Sequence, residues 1–175
     1  NFAHMLEIIN NETTFMAIDG EHRGKIIGRE ISIQMKDVNN IQKFLGGLML
    51  DTGSPHYIEE VDDLLNLDVK NEVRRIKSLS SFKEKSVNIN FVSNADELHV
   101  RTYERGVEAE TFSCGTGVVA SAIAMHYANC INENVIDVKT KGGVLNVSFE
   151  EVNGIYKNIW LSGEASMVYA GEFEC

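Results

Sequence analysis

The stretch from Val135 to the C-terminus constrains the fold most. Residues 135–139, 144–149, 155–161 and 167–173 alternate apolar with polar side chains, and Gly142-Gly143, Asn153-Gly154 and Gly163 separate them. Such pairs supply the positive φ that tight hairpin turns demand, so the pattern predicts an antiparallel meander. Upstream, strands are expected at 13–18 (before the turn Asp19-Gly20), 25–35, 48–50, 87–92 and 98–102. Val69, Val73 and Ile76 share a helical face, and 115–129 reads as a helix with Val118, Val119, Ala122, Ile123 and His126 at helical spacing. The class is α+β, an antiparallel sheet curled around few helices.

Phe2, Met5, Leu6 and Ile9 also fall on one helical face, with no initiator Met and no capping residue before them. The expectation is a chain that starts inside a helix, with something N-terminal removed or omitted. At 175 residues it can bury a core as one domain or as one and a fraction.

Charge narrows the partners. With 16 Lys+Arg against 26 Asp+Glu the net charge is −10. That excludes a sequence-independent nucleic-acid binder and a polybasic membrane-surface protein, both of which need clustered cations. The most apolar run, 118–125, falls far short of the roughly 20 residues of a membrane span. Three cysteines without framework spacing suit free thiols in a reducing compartment, so cytoplasm is the expected location.

Three segments carry chemistry. Cys114-Gly115-Thr116-Gly117 precedes an apolar helix, which places a thiol at a helix N-terminus. Unpaired N–H groups and the helix dipole there favour a thiolate and attract a carboxylate. Glu104-Arg105 ends a strand ten residues earlier; a carboxylate near a thiol can shuttle its proton, and an Arg fork can hold a second carboxylate. Gly53-Ser54-Pro55-His56 follows a hydrophobic strand, and its rigid loop can aim His56 at a site. Taken singly, each has a bland reading: a buried core Cys, a surface ion pair, an incidental loop His. Their combination is what points to a site.

That combination resembles diaminopimelate epimerase. The family pattern has Gly-Asn-Pro-His after a strand, an Asn-containing strand (here Val87-Asn88-Ile89-Asn90-Phe91-Val92), Tyr-Glu-Arg-Gly, Glu-Thr, and Cys-Gly-Ser/Thr-Gly before a helix, all in this order here. Leu161-Ser162-Gly163-Glu164-Ala165 and Val168-Tyr169-Ala170-Gly171-Glu172-Phe173 are similar to the family's closing strands. The resemblance implies interconversion of LL- and meso-2,6-diaminopimelate, for lysine and cell-wall precursors, by two cysteines on opposite faces of the stereocentre. It implies no pyridoxal phosphate and no metal. By position it makes Cys114 one of the two cysteines, with Glu104 and His56 assisting. Asn88, Glu104, Arg105, Gly115 and Thr116 match substrate-binding positions, and Ser54 stands where the family usually has an Asn. The implied fold is two similar domains, each a barrel-like curved sheet around a central helix. Residues 1–45 would close a truncated first domain, 46–165 would form the second, and the last strand, 166–175, would return to the first. A homodimer stays open as the assembly.

Two further departures stand out. Glu108-Ala109 replaces a single Gly between Val107 and Glu110. The family's Cys-Gly-Asn-Gly element, with the other cysteine, does not occur in the chain. Cys130 lies 16 residues past Cys114, about 24 Å on a continuous helix, and Cys175 has no motif around it. The chain as given is therefore expected to lack one base and to be inactive alone. Two alternatives remain. Proline racemase and hydroxyproline epimerase share the fold and the Cys-Gly-Thr-Gly element but typically read Asp-Arg-Ser-Pro before the Cys, against Glu110-Thr111-Phe112-Ser113 here. A non-catalytic amino-acid-binding homologue would explain the missing half but not the retention of Cys114, Glu104 and His56.

Overall fold

The computed structural model describes residues 2–82 and 85–172. In chain order the elements are α1 (Phe2–Met5), β1 (Glu12–Ala17), β2 (Gly20–Ile27), β3 (Glu30–Gln34), β4 (Gln42–Phe44), β5 (Gly47–Asp51) and β6 (Pro55–Glu60). There follow α2 (Val69–Ser78), β7 (Asn88–Ser93), β8 (Leu98–Glu104), β9 (Ala109–Thr111), α3 (Gly115–Tyr127), β10 (Val135–Thr140), β11 (Gly143–Val152) and β12 (Ile155–Glu164). All strands join one sheet in the order β1-β2-β3-β12-β11-β10-β8-β7-β6-β5-β4, with β9 beside β8.

Two of the expected hairpins form, whereas Gly163 is not a turn but a paired residue inside β12. Asn153 and Gly154 take φ of 55° and 80° between β11 and β12, and Gly143 takes 135° between β10 and β11. The sheet is mixed rather than wholly antiparallel, because β6 pairs with β7, and β8 with β10, in parallel. A parallel pair needs a crossover, and α2 and α3 supply the two.

These helices cover opposite faces. Along β7, Ile89 and Phe91 join a core with Val69, Val73 and Ile76 of α2, whereas Val92 joins the core around α3. Period-2 alternation then aims Asn88 and Asn90 at the α3 side. The same logic on β8 puts Leu98 and Val100 under α3 and carries Thr102 and Glu104 along that face. Asp68 caps α2 by accepting the Asn71 N–H. Every residue from Gly117 to Met125 of α3 is buried. It is a central helix wrapped by the curved sheet, not an amphipathic surface helix.

Two terminal expectations are corrected. The N-terminal helix stops at Met5 because Glu7 adopts φ 57° and its N–H and that of Ile8 bond back to His4 O and Ala3 O, a Schellman closure. Phe2, Met5, Leu6 and Ile8 are left exposed. The alternation at 167–172 forms no strand: β12 pairs with β3 only as far as Glu164↔Glu30, and no neighbouring strand continues the ladder. Phe173 and the residues after it lie outside the described residues.

Candidate active site

Cys114 is the N-cap of α3, with extended backbone (φ −130°, ψ 109°) that turns the chain from the loop after β9 into the helix. Both flanking glycines are required by close approach. A Cβ on Gly115 would come within 2.9 Å of Leu161 Cδ2. One on Gly117 would sit 2.5 Å from Asn90 Oδ1 and 3.3 Å from both Cys114 Sγ and His56 Cε1. The glycines therefore let the helix N-terminus press onto the sheet where the polar side chains converge.

The thiol is 8% exposed. Burial pushes its pKa up, the Thr116 hydroxyl 3.6 Å from Sγ and the Gly117 N–H act the other way, and the Glu104 carboxyl adds to the rise. The sequence set the helix field against Glu104; burial decides the contest and favours the protonated thiol. Among the described residues Cys130 is the exposed thiol, past the far end of α3, so Cys114 is not the thiol most open to reagents. Cys175 lies outside the described residues.

Glu104 and Arg105 do not pair with each other. Glu104 accepts a 2.6 Å bond from the Thr111 hydroxyl. The Arg105 guanidinium donates to Ser54 Oγ at 3.3 Å and to Ser86 O at 3.3 Å, and among the described residues it has no acidic partner. Asn88 Oδ1 accepts the Arg105 backbone N–H at 3.0 Å, and Asn88 Nδ2 donates to Ser54 Oγ at 3.0 Å. Ser54 thus accepts two bonds and keeps its own hydrogen for a ligand. Glu108, standing where a Gly is usual, takes φ 56°. Its carboxylate accepts from the Gly106 N–H and from Lys77, which anchors the turn between β8 and β9.

His56 is not in a loop. It is the second residue of β6 and has no exposed surface, because pairing of β6 with β7 sets His56 opposite Asn88 and Ile58 opposite Asn90. Its Nδ1 lies 3.0 Å from Asn90 Nδ2 and its Nε2 lies 2.9 Å from Thr116 Oγ1. Burial lowers its pKa from 6.5 to about 4, and the positive charge of Arg105 adds to this while Asp51 opposes it. At neutral pH the ring is uncharged.

That neutrality has a consequence for stability. Between pH 6.5 and about 4 the unfolded chain binds the proton that folded His56 refuses. His56 therefore contributes stability fully above pH 6.5 and loses it as pH falls towards 4, by about 3 kcal/mol at most. Thermal unfolding of the full-length protein across this range should show the loss, and His56→Gln should flatten it. A His56→Gln curve parallel to that of the parent would refute the assignment.

Asn90, Thr102 and Thr52 are buried at this centre and were not singled out by the sequence motifs. Thr102 donates to Asn90 Oδ1 at 2.8 Å, and Thr52 donates to Thr116 O at 2.9 Å. The usable signal was spacing, since Asn90 stands two residues after Asn88 and Thr102 two before Glu104 on strands.

All the residues expected at the site, Ser54, His56, Asn88, Glu104, Arg105, Cys114, Gly115 and Thr116, converge at the N-terminus of α3. The chain is also similar to known proteins. The family model described as diaminopimelate epimerase matches residues 48–168. A diaminopimelate epimerase of Flavobacterium psychrophilum is 46% identical over 171 residues, covering 96% of this chain and 67% of the relative. That of Aquifex aeolicus is 31% identical over 183 residues, covering 97% and 64%. The chain thus spans about two thirds of the curated relatives it matches. A probable proline racemase from Agrobacterium radiobacter K84 superposes with a TM-score of 0.66 at 15% identity, over 93% of this chain and 61% of that one, which shows the shared fold alone. The chain belongs to the diaminopimelate epimerase family.

Proposed function

We propose that the protein to which this chain belongs epimerises LL-2,6-diaminopimelate to the meso form, with Cys114 as the proton donor and acceptor on one face of the stereocentre. The observation that carries this reading is a buried thiol at a helix N-terminus, its pKa pushed up by burial, beside Glu104 and the Ser54–Asn88–Arg105 cluster. In one direction a base on the opposite face removes the α-proton, and the Cys114 S–H bond breaks to deliver its proton to the carbanion. The thiolate then regains a proton from solvent, a return the neighbouring Glu104 carboxylate favours by destabilising the thiolate, and the opposite base gives up the proton it took. In the other direction the Cys114 thiolate takes the proton. Charge developing on the substrate carboxylate is stabilised by the unpaired N–H groups at the start of α3. Arg105 and the free Ser54 hydrogen bind the carboxylate of the amino acid's other end. The opposite-face base is supplied by the part of the relatives' length that this chain does not cover, so the chain by itself is inactive. Residues 1–45 complete a first domain and 46–165 form the second. No described helix is long and apolar enough to cross a membrane, and the reading places the enzyme in the cytoplasm.

The full-length protein should exchange the substrate α-proton for deuterium in heavy water and invert the centre without added cofactor. Activity should survive exhaustive dialysis against a chelator and treatment with a carbonyl reagent that traps pyridoxal phosphate. Loss on either treatment would sink the cofactor-free mechanism, and faster turnover of proline than of diaminopimelate would move the assignment to the racemase reading.

A further inference from the structure

Beneath Cys114 runs a chain of buried hydrogen bonds whose direction can be worked out from its ends. Tyr57 O can only accept, and Asn90 Nδ2 lies 3.2 Å from it. The Thr102 hydroxyl donates to Asn90 Oδ1 at 2.8 Å. These contacts fix which end of the Asn90 amide is which, and the NH2 group is the one facing His56 Nδ1 at 3.0 Å. An N–H pointed at Nδ1 requires that nitrogen to be the bare acceptor. The ring proton therefore sits on Nε2, where the Thr116 oxygen accepts it at 2.9 Å. With that lone pair used, the Thr116 hydroxyl hydrogen is free for Cys114 Sγ, 3.6 Å away. Asn88 Nδ2, 3.4 Å from Nε2, faces an N–H and bonds Ser54 instead. Asn90 and Thr102 have 0% and 4% exposure, so water does not compete for these positions.

We propose that Asn90 is a positioning residue: it holds His56 as the tautomer protonated on Nε2, and so makes the Thr116 hydroxyl a hydrogen-bond donor to the Cys114 sulfur. His56 then acts on Cys114 as a neutral donor through Thr116, not as a base that takes the thiol proton. Each bond depends on the one before it, which is why both polar ends of the Asn90 side chain are held (by Thr102 and by Tyr57 O). The close approach of Gly117 belongs to the same device, since any larger residue there would displace Asn90 Oδ1. The charged and titratable groups that act on this centre are Asp51, Arg105, Glu104 and Cys114 itself.

The proposal deepens the epimerase reading, since the thiol it serves is the proposed proton donor. Its test needs no turnover. Nitrogen-15 NMR of the full-length protein, labelled in histidine, reports which ring nitrogen carries the proton. His56 should show a protonated Nε2 and a bare Nδ1 at neutral pH. In Asn90→Asp the carboxylate accepts from the ring, so Nδ1 should gain a proton. Once that ring is neutral, Nε2 accepts from Thr116 and Sγ loses its donor. Alkylation of Cys114 by iodoacetamide at pH 8, read by peptide mass, should then slow by about tenfold, the size of one hydrogen bond to a charged group. Cys130 alkylation should not change and serves as the internal control. A proton on Nδ1 in the unsubstituted protein would overturn the proposal, and that spectrum decides even if Asn90→Asp does not fold. Cys114 alkylation in Asn90→Asp within twofold of the parent would overturn it as well. A protein with the expected spectrum but no activity towards diaminopimelate would instead overturn the function and leave the hydrogen-bond chain standing.

Discussion

Cys114→Ala in the full-length protein should lower the rate of epimerisation by about 10²- to 10⁴-fold, the range a positioned acid or base contributes. The loss should be in kcat with little change in KM, because the thiol acts on the proton in flight and not on the bound carboxylates. Deuterium exchange separates the two faces. The variant should still exchange the α-proton of the isomer presented to the remaining base, without inversion, and should fail to exchange the other. Cys114→Ser should be nearly as impaired, since a hydroxyl is a far weaker acid than a thiol even when burial raises the thiol. The substitution should fold, because the helix is held by its buried Gly117 to Met125 stretch. A Cys114→Ala rate within tenfold of the parent would mean that Cys114 is a packing residue.

Arg105→Ala should lower kcat/KM by about 10- to 100-fold, corresponding to roughly 1.5–3 kcal/mol for a hydrogen bond to a charged group. The side chain is exposed in this chain and has no acidic partner among the described residues, so its fork is free to receive a carboxylate. Arg105→Lys should recover little, since an ammonium cannot reproduce a two-point contact while also holding Ser54 Oγ. The decisive comparison uses an amino acid that lacks the second carboxylate. Arg105→Ala should leave its slow turnover unchanged, whereas a structural role would depress both substrates alike. A change of less than threefold with diaminopimelate would remove Arg105 from the binding site.

Much of this was visible in the residues because it is decided over short distances. The hairpin turn at Asn153-Gly154 follows from backbone sterics at two positions, and the one at Gly142-Gly143 from sterics at Gly143. The face of α2 follows from the spacing of Val69, Val73 and Ile76, and the placing of Cys114 at a helix start follows from the glycines after it. Where a local pattern had no partner the expectation failed. The alternation at 167–172 has no strand to pair with among the described residues, and the apolar face at the N-terminus ends at a left-handed Glu7 instead of continuing to Ile9. The parallel pairings of β6 with β7 and β8 with β10 were also hidden, because strand patterns carry no sign of the direction of the neighbour.

The sequence by itself determined which chemistry is present: a thiol before Gly115-Thr116-Gly117, the Glu104-Arg105 pair, Ser54 and His56, and the family they indicate. Only the tertiary structure decided what state those groups are in. Whether the helix N-terminus or burial governs the Cys114 thiol depends on how much water α3 excludes, and α3 packs against β5 to β8 and β10 to β12. His56 reads as a loop histidine until β7 pairs beside it and sets Asn90, 34 residues away, against Nδ1 while α3 brings Thr116, 60 residues away, against Nε2. Dielectric and hydrogen-bond direction are properties of what surrounds a group in space. No spacing along the chain encodes them until the chain has folded.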